Sequence, residues 1–126
     1  MSVEQKSPLG LLLSDDLIFT SRIVGTARDR GLTIRAAGSV EGLEALARQE
    51  APRCVIVDLA NPGLATTELV QRLRAACLSM PRVIAYGPHV DAAALRAARE
   101  AGCDPVLPRS KFVEQLPHAL AEWMAG

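Results

Sequence analysis

At 126 residues the chain is the size of one domain with one hydrophobic core. Apolar residues make up 49% of it and aromatic residues only 3%, so the core has to be built mainly from Leu, Val, Ile and Ala. Its 14 basic residues are matched by 14 acidic ones, which leaves neither a basic stripe for nucleic acid nor an acidic tail and points to a protein or a small ion as partner.

Residues 1–8 are polar, too short for a signal peptide, and read as a frayed arm ahead of a domain spanning 9–126. The longest apolar run, at 9–13, is far below membrane-spanning length, so no membrane partner is expected. That run opens a series of five, at 9–13, 33–36, 54–57, 83–86 and 105–107. They read as strands of a parallel sheet buried on both faces, the third and fourth being rich in Val and Ile.

The stretches between these runs carry helical spacing. Phe19, Ile23 and Ala27 form the first apolar stripe, Val40, Leu43 and Ala47 the second, and Val70, Leu73 and Cys77 the third. The fourth helix is short and Ala-rich, over about 91–101, with Leu95 and Ala98 inward. The last offers Val113, Leu116, Leu120 and Trp123, and Pro117 is expected to kink or divide it. Ser39, Asp91 and Ser110 are the predicted N-caps, and Gly31 and Gly102 the left-handed C-terminal residues. Cys54, Cys77 and Cys103 match no metal or C-x-x-C spacing. As unpaired thiols they fit a reducing cytoplasm, the first two as small buried hydrophobes. His89 and His118 are isolated surface residues, and Trp123 is expected to pack in the core.

The pattern is an α/β chain of five βα units. Right-handed crossovers place helices on both faces of the sheet, and five units suit a flavodoxin-like (βα)5 three-layer sandwich with strand order 2-1-3-4-5.

In such sheets ligands bind beyond the carboxyl ends of the strands. Strand 1 ends in Ser14-Asp15-Asp16, strand 3 in Asp58, strand 4 at Tyr86-Gly87 and strand 5 at Leu107-Pro108-Arg109. Strands 1 and 3 are neighbours in this order, about 4.8 Å apart, so three carboxylates are expected to converge. A pair of them about 5 Å apart repels by roughly 3 kcal/mol at an effective dielectric of about 20. A divalent cation or raised pKa values would relieve this, and Mg²⁺ suits such a donor set. Taken singly, Asp15 or Asp16 could equally cap the first helix, and Asp58 could be a loop residue before an Asn61-Pro62-Gly63 turn.

The stretches Leu11-Leu12-Leu13-Ser14-Asp15-Asp16 and Val55-Ile56-Val57-Asp58-Leu59-Ala60-Asn61-Pro62-Gly63 resemble the acidic pair and phosphoacceptor segment of response-regulator receivers. The resemblance implies a signalling domain rather than an enzyme. It makes Asp58 the acceptor of a phosphoryl group from a sensor histidine kinase, a phosphotransfer protein or a small phosphodonor. Mg²⁺ would be held by Asp16, by Asp15 through water, by Asp58 and by the backbone carbonyl of Ala60. It also implies a downstream protein partner and a homodimer surface on helix 4, strand 5 and helix 5.

The chain departs from that family at four places. Gly87 stands where a Thr or Ser hydroxyl binds the phosphoryl group. Arg109 stands for the Lys after strand 5, with Lys111 as a possible stand-in, and Ser110 for the following Pro. Val106 replaces the strand-5 aromatic. The alternative is therefore a pseudo-receiver, a protein-interaction module without a phosphorylation switch, in which Arg109 is an exposed loop cation. A flavin-binding flavodoxin ranks below both, because Asp15 and Asp16 would repel a phosphate from the loop after strand 1.

Overall fold

The structure is a computed structural model that describes residues 9–60 and 65–125. The N-terminal arm at 1–8 and the turn expected at Asn61-Pro62-Gly63 lie outside the described residues. The elements alternate as the spacing predicts: β1 (Leu9–Leu13), α1 (Leu17–Asp29), β2 (Thr33–Ala37), α2 (Val40–Gln49), β3 (Cys54–Asp58), α3 (Thr66–Ala76), β4 (Arg82–Gly87), α4 (Ala92–Glu100), β5 (Val106–Pro108) and α5 (Arg109–Trp123). All strand pairs are parallel, in the order β2-β1-β3-β4-β5. Among the described residues no helix is long and apolar enough to cross a membrane.

The sheet divides the core in two, because successive side chains of a strand leave opposite faces. Leu11, Leu13, Val55, Val57, Val83 and Ala85 face α2, α3 and α4. Leu12, Ile56, Ile84 and Tyr86 face α1 and α5. The three central strands are thus buried on both sides, as expected. β2 is not: it is an edge strand, and only Ile34 and Ala37 of it are buried.

The core also departs from a purely aliphatic one. The four aromatic residues of the chain gather on the α1/α5 face. Tyr86 stacks on Phe112 at 4.4 Å between ring centroids and lies 5.1 Å from Phe19, and Phe112 stacks on Trp123 at 5.7 Å. Such pairs contribute about 0.5–1.5 kcal/mol each beyond their buried area.

The helices bury the predicted stripes on α1, α2 and α4. On α3, Leu69 joins Val70 and Leu73, while Cys77 ends the helix half-buried. On α5 the buried line is Phe112, Leu116, Leu120 and Trp123, with Val113 half-buried beside it. Ser110 does not cap that helix. It lies inside the first turn, and the cap is Pro108, whose extended backbone (φ −58, ψ 149) serves without a side-chain bond. Nor does Pro117 divide it. Pro117 withholds one N–H, but the buried stripe runs unbroken on both sides of it and packing holds the halves together.

Asp16, Ser39 and Asp91 cap α1, α2 and α4, accepting from the N–H groups of Phe19, Gly42 and Ala94 at 3.0, 3.1 and 3.1 Å. Gly31 and Gly102 follow α1 and α4 with φ of 72° and 101°, the conformation a C-terminal glycine supplies. Burial pushes the thiols of Cys54 and Cys103 up to about 12 and about 11, so both stay neutral, as small core residues do.

Candidate functional site at the carboxyl edge of the sheet

The strand ends bring Ser14, Asp58, Tyr86 and Arg109 to one edge. Asp58 closes β3 and is 2% exposed. The Ser14 hydroxyl donates to its Oδ2 at 2.8 Å, and the Ala60 N–H donates to its Oδ1 at 2.9 Å. Ser14 accepts in turn from the Asp16 N–H at 3.1 Å. A buried carboxylate is tolerated because each oxygen has a donor.

The three carboxylates expected here do not converge. Among the described residues no three His, Cys, Asp or Glu side chains gather closely enough to hold a metal ion. The register explains why. Leu13 pairs with Val57, so the next step along both strands brings Ser14, not Asp15, against Asp58. Asp15 is exposed. Asp16 lies at the start of α1, where its Oδ1 caps the helix and its Oδ2 is 3.9 Å from Arg109 Nη1.

Arg109 is no loose loop cation. It is the first residue of α5, with its guanidinium carbon 4.9 Å from the Phe19 ring centroid and 6.0 Å from that of Tyr86, within cation–π range. Its Nε is buried without a hydrogen-bond partner among the described residues. Lys111 is not its stand-in: the Lys111 ammonium is exposed and faces Glu114 at 3.5 Å.

Gly87 pairs with Pro108 across β4 and β5. Its backbone is not left-handed, so the conformation does not demand glycine. The space is tight: a Cβ here would stand 3.1 Å from Leu59 Cβ, so Leu59 would have to give by a few tenths of an ångström. Val106 is buried against the α2–α4 face.

Tyr86 is the functional candidate that sequence reasoning missed. It pairs with Asp58 in the β3–β4 register and is fully buried. Its hydroxyl has no partner in good hydrogen-bond geometry among the described residues, yet lies near enough to Asp58, Ser14 and Arg109 for each to act on its ionisation. Burial first, and the Asp58 charge second, push the phenol pKa up; Ser14 and Arg109 oppose this more weakly. The strand period alone could have found it, since Ile84 and Tyr86 share the face on which Asp58 follows Ile56.

The fold and this edge define the class: the chain has the fold of a response-regulator receiver domain. No protein-family model matches it. A transcriptional activator, ExaE of Pseudomonas putida, is 30% identical over 122 residues, which are 94% of this chain and 56% of that protein. The chain thus spans about half the length of the curated relative it matches. Among solved structures, the signal receiver domain of a response regulator from Bermanella marisrubri superposes with a TM-score of 0.80 at 18% identity, covering 95% of this chain and 100% of that one. A response regulator of Burkholderia pseudomallei, determined with a phosphorylated aspartic acid, a calcium ion and citrate, gives a TM-score of 0.71 at 19% identity, covering 92% of this chain and 70% of that one. At these identities the solved structures define the fold.

Proposed function

We propose that this chain is a receiver-fold signalling module that acts through protein contacts without a metal-dependent phosphorylation switch. The observation that carries this reading is the state of Asp58. Its carboxylate is 2% exposed, which closes its oxygens to a phosphodonor, and single hydrogen bonds from Ser14 and Ala60 hold it in that buried position. In-line attack on phosphorus needs an accessible oxygen lone pair.

The residues present do not fit a resident Mg²⁺. That ion demands a near-octahedral oxygen shell and is usually anchored by one or two carboxylates. Here Asp16 is engaged by the α1 cap and by Arg109, and Asp15 stands in solvent. The Arg109 guanidinium supplies beside Asp16 the positive charge that a metal would bring. The likeness to a transcriptional activator supports a downstream protein partner in the control of gene expression, and the unpaired thiols support a cytoplasmic location.

A second reading rests on the position of Asp58 at the carboxyl end of a central strand, where ligands bind in such sheets. It makes Asp58 the acceptor of a phosphoryl group from a sensor histidine kinase or phosphotransfer protein. Asp15, Asp16, Asp58 and the Ala60 carbonyl would then hold Mg²⁺ once the Ser14–Asp58 bond opens, Arg109 would grip the phosphoryl oxygens, and a homodimer would form through α4, β5 and α5.

Intact-mass measurement after incubation with Mg²⁺ and acetyl phosphate separates the two. The first reading expects no gain of a phosphoryl group. A metal-dependent gain that disappears in Asp58→Asn would overturn it in favour of the second.

A further inference from the structure

Beside the Asp58 pocket, on the α1/α5 side of the same edge, lies an open groove of about 610 Å³. Neither Asp58 nor Ser14 lines it. Arg22 comes from α1, His89 from the segment after β4, and Arg109 and Ser110 from the first turn of α5. Phe19, Pro88 and Val113 supply apolar walls. We propose that this groove binds a small organic phosphate, a phosphate monoester carrying a planar ring.

The charge argument comes first. Two guanidinium groups and an imidazole on three separate elements meet one groove, and among the described residues no carboxylate lines it. Surface arginines are ordinarily satisfied by acids or water, and the part-exposed Arg109 fork keeps its Nη groups available at the groove. Among the described residues its acidic partner is Asp16, at 3.9 Å, which leaves the rest of the guanidinium fork free for an anion. The first turn of α5 adds to this, because no side chain caps it and its free N–H groups and helix dipole favour an anion. A phosphate has enough oxygens to engage both arginine forks and the helix start together.

The walls select the rest of the ligand. Phe19, Pro88 and Val113 give the groove an apolar lining, and its volume is in the range of small-molecule sites. A planar ring fills such a slot at low entropic cost. The ligand would join α1, the segment after β4 and α5, and Phe19 belongs to the aromatic row that runs through Tyr86 and Phe112 to Trp123. Occupancy should therefore be felt at the one tryptophan of the chain. On the first reading of Asp58 the groove is a separate site; on the second, Arg109 is shared between the groove and the phosphoryl group.

The test titrates the whole chain with AMP, adenosine and inorganic phosphate, following amide shifts by NMR and Trp123 fluorescence. AMP should shift the amides of Arg22, His89, Arg109 and Ser110 and change the Trp123 emission; phosphate and adenosine should bind more weakly. Arg22→Gln, at an exposed position, should weaken AMP binding about tenfold while leaving thermal unfolding unchanged. Asp58→Asn should leave AMP binding intact, which separates this site from the Asp58 pocket. No shift at millimolar AMP, or wild-type affinity in both Arg22→Gln and Arg109→Gln, would overturn the proposal. Adenosine binding as tightly as AMP would overturn the anion assignment, and phosphate binding as tightly as AMP the planar-ring assignment.

Discussion

The Ser14 hydroxyl donates a 2.8 Å hydrogen bond to Asp58 Oδ2, and both residues are buried. This bond joins the ends of β1 and β3, one residue ahead of the Asp15-Asp16 pair. Ser14→Ala leaves Oδ2 without that donor in a closed pocket. Hydrogen bonds to charged groups contribute about 1.5–3 kcal/mol, so the variant should lose that much stability in urea unfolding. A loss below about 0.5 kcal/mol would mean that water replaces the hydroxyl.

Ser14→Asp is the complementary change. It sets a second carboxylate against Asp58, and the repulsion between them should destabilise the fold. Mg²⁺ relieves such repulsion, so the melting temperature of the variant should rise with Mg²⁺ while that of the wild type stays flat. An equal rise in both proteins would show that the wild-type edge already accommodates the ion.

Tyr86 makes stability depend on pH in the alkaline range. Its folded pKa is raised above the ordinary value of 10.0 by burial and by Asp58. Above about pH 10 the unfolded chain releases the phenol proton while the folded chain keeps it, so stability falls as pH rises. Cys54 and Cys103 contribute slopes of the same sign, since their folded pKa values are raised as well. The difference between wild type and Tyr86→Phe isolates the tyrosine. The variant should show a shallower loss of stability between pH 9 and about 11. As Tyr86 is the one tyrosine, its absorbance also reports its ionisation directly.

The two faces of the fold were open to sequence reading because their signals are periodic. Leu11 to Leu13 and Val55 to Val57 carry strand runs, and Phe19, Ile23 and Ala27 carry a helix stripe, so order and packing follow from spacing. The site was legible only to within one residue. Ser14, Asp15 and Asp16 are all polar, and nothing periodic tells which of them pairs with Asp58; only the β1–β3 register does. Phe112 and Val113 are both apolar and adjacent, so the inward one depends on where α5 begins, and Pro108 starts that helix earlier than a Ser110 cap would. The aromatic cluster joins residues from three elements, and composition alone cannot show that they meet.

Glu44 breaks its helix stripe by being buried among apolar neighbours. Arg72 of α3 and Arg48 one turn along α2, at 3.3 Å, pair with it. Both arginines are partly exposed, so the pairing is screened relative to a fully buried one. Glu44→Gln should cost about 1–2 kcal/mol by double-jump unfolding, and Arg72→Ala a similar amount, with less than additive loss in the double variant. Strict additivity would show that Glu44 is stabilised by something other than Arg72.

Gly87 allows the sharpest comparison of the two readings of Asp58. In the receiver family that this chain resembles, the corresponding hydroxyl draws β4 toward a phosphoryl group. The backbone at Gly87 accepts any residue, but a Cβ there stands 3.1 Å from Leu59 Cβ and 3.4 Å from its Cδ1. Gly87→Thr alone should therefore lose about 1–3 kcal/mol through overpacking. Leu59→Ala keeps the Cβ at 3.1 Å but removes the Cδ1 at 3.4 Å and the Cγ at 3.7 Å, which lets residue 59 give way, so the double variant should be more stable than the sum of the single losses by at least about 0.5 kcal/mol. With that crowding eased, the restored hydroxyl tests the chemistry. If Asp58 accepts phosphoryl groups, Gly87→Thr with Leu59→Ala should bind beryllofluoride about tenfold to a hundredfold more tightly than Leu59→Ala. This is the factor expected from a hydrogen bond of about 1.5–3 kcal/mol to a charged group. If the buried, doubly hydrogen-bonded Asp58 is closed to such ligands, neither variant should bind it, and ¹⁹F NMR with Mg²⁺ present should show only free fluoroberyllates. Tight binding by Leu59→Ala itself would mean that access, rather than a missing hydroxyl, keeps Asp58 silent in the wild type.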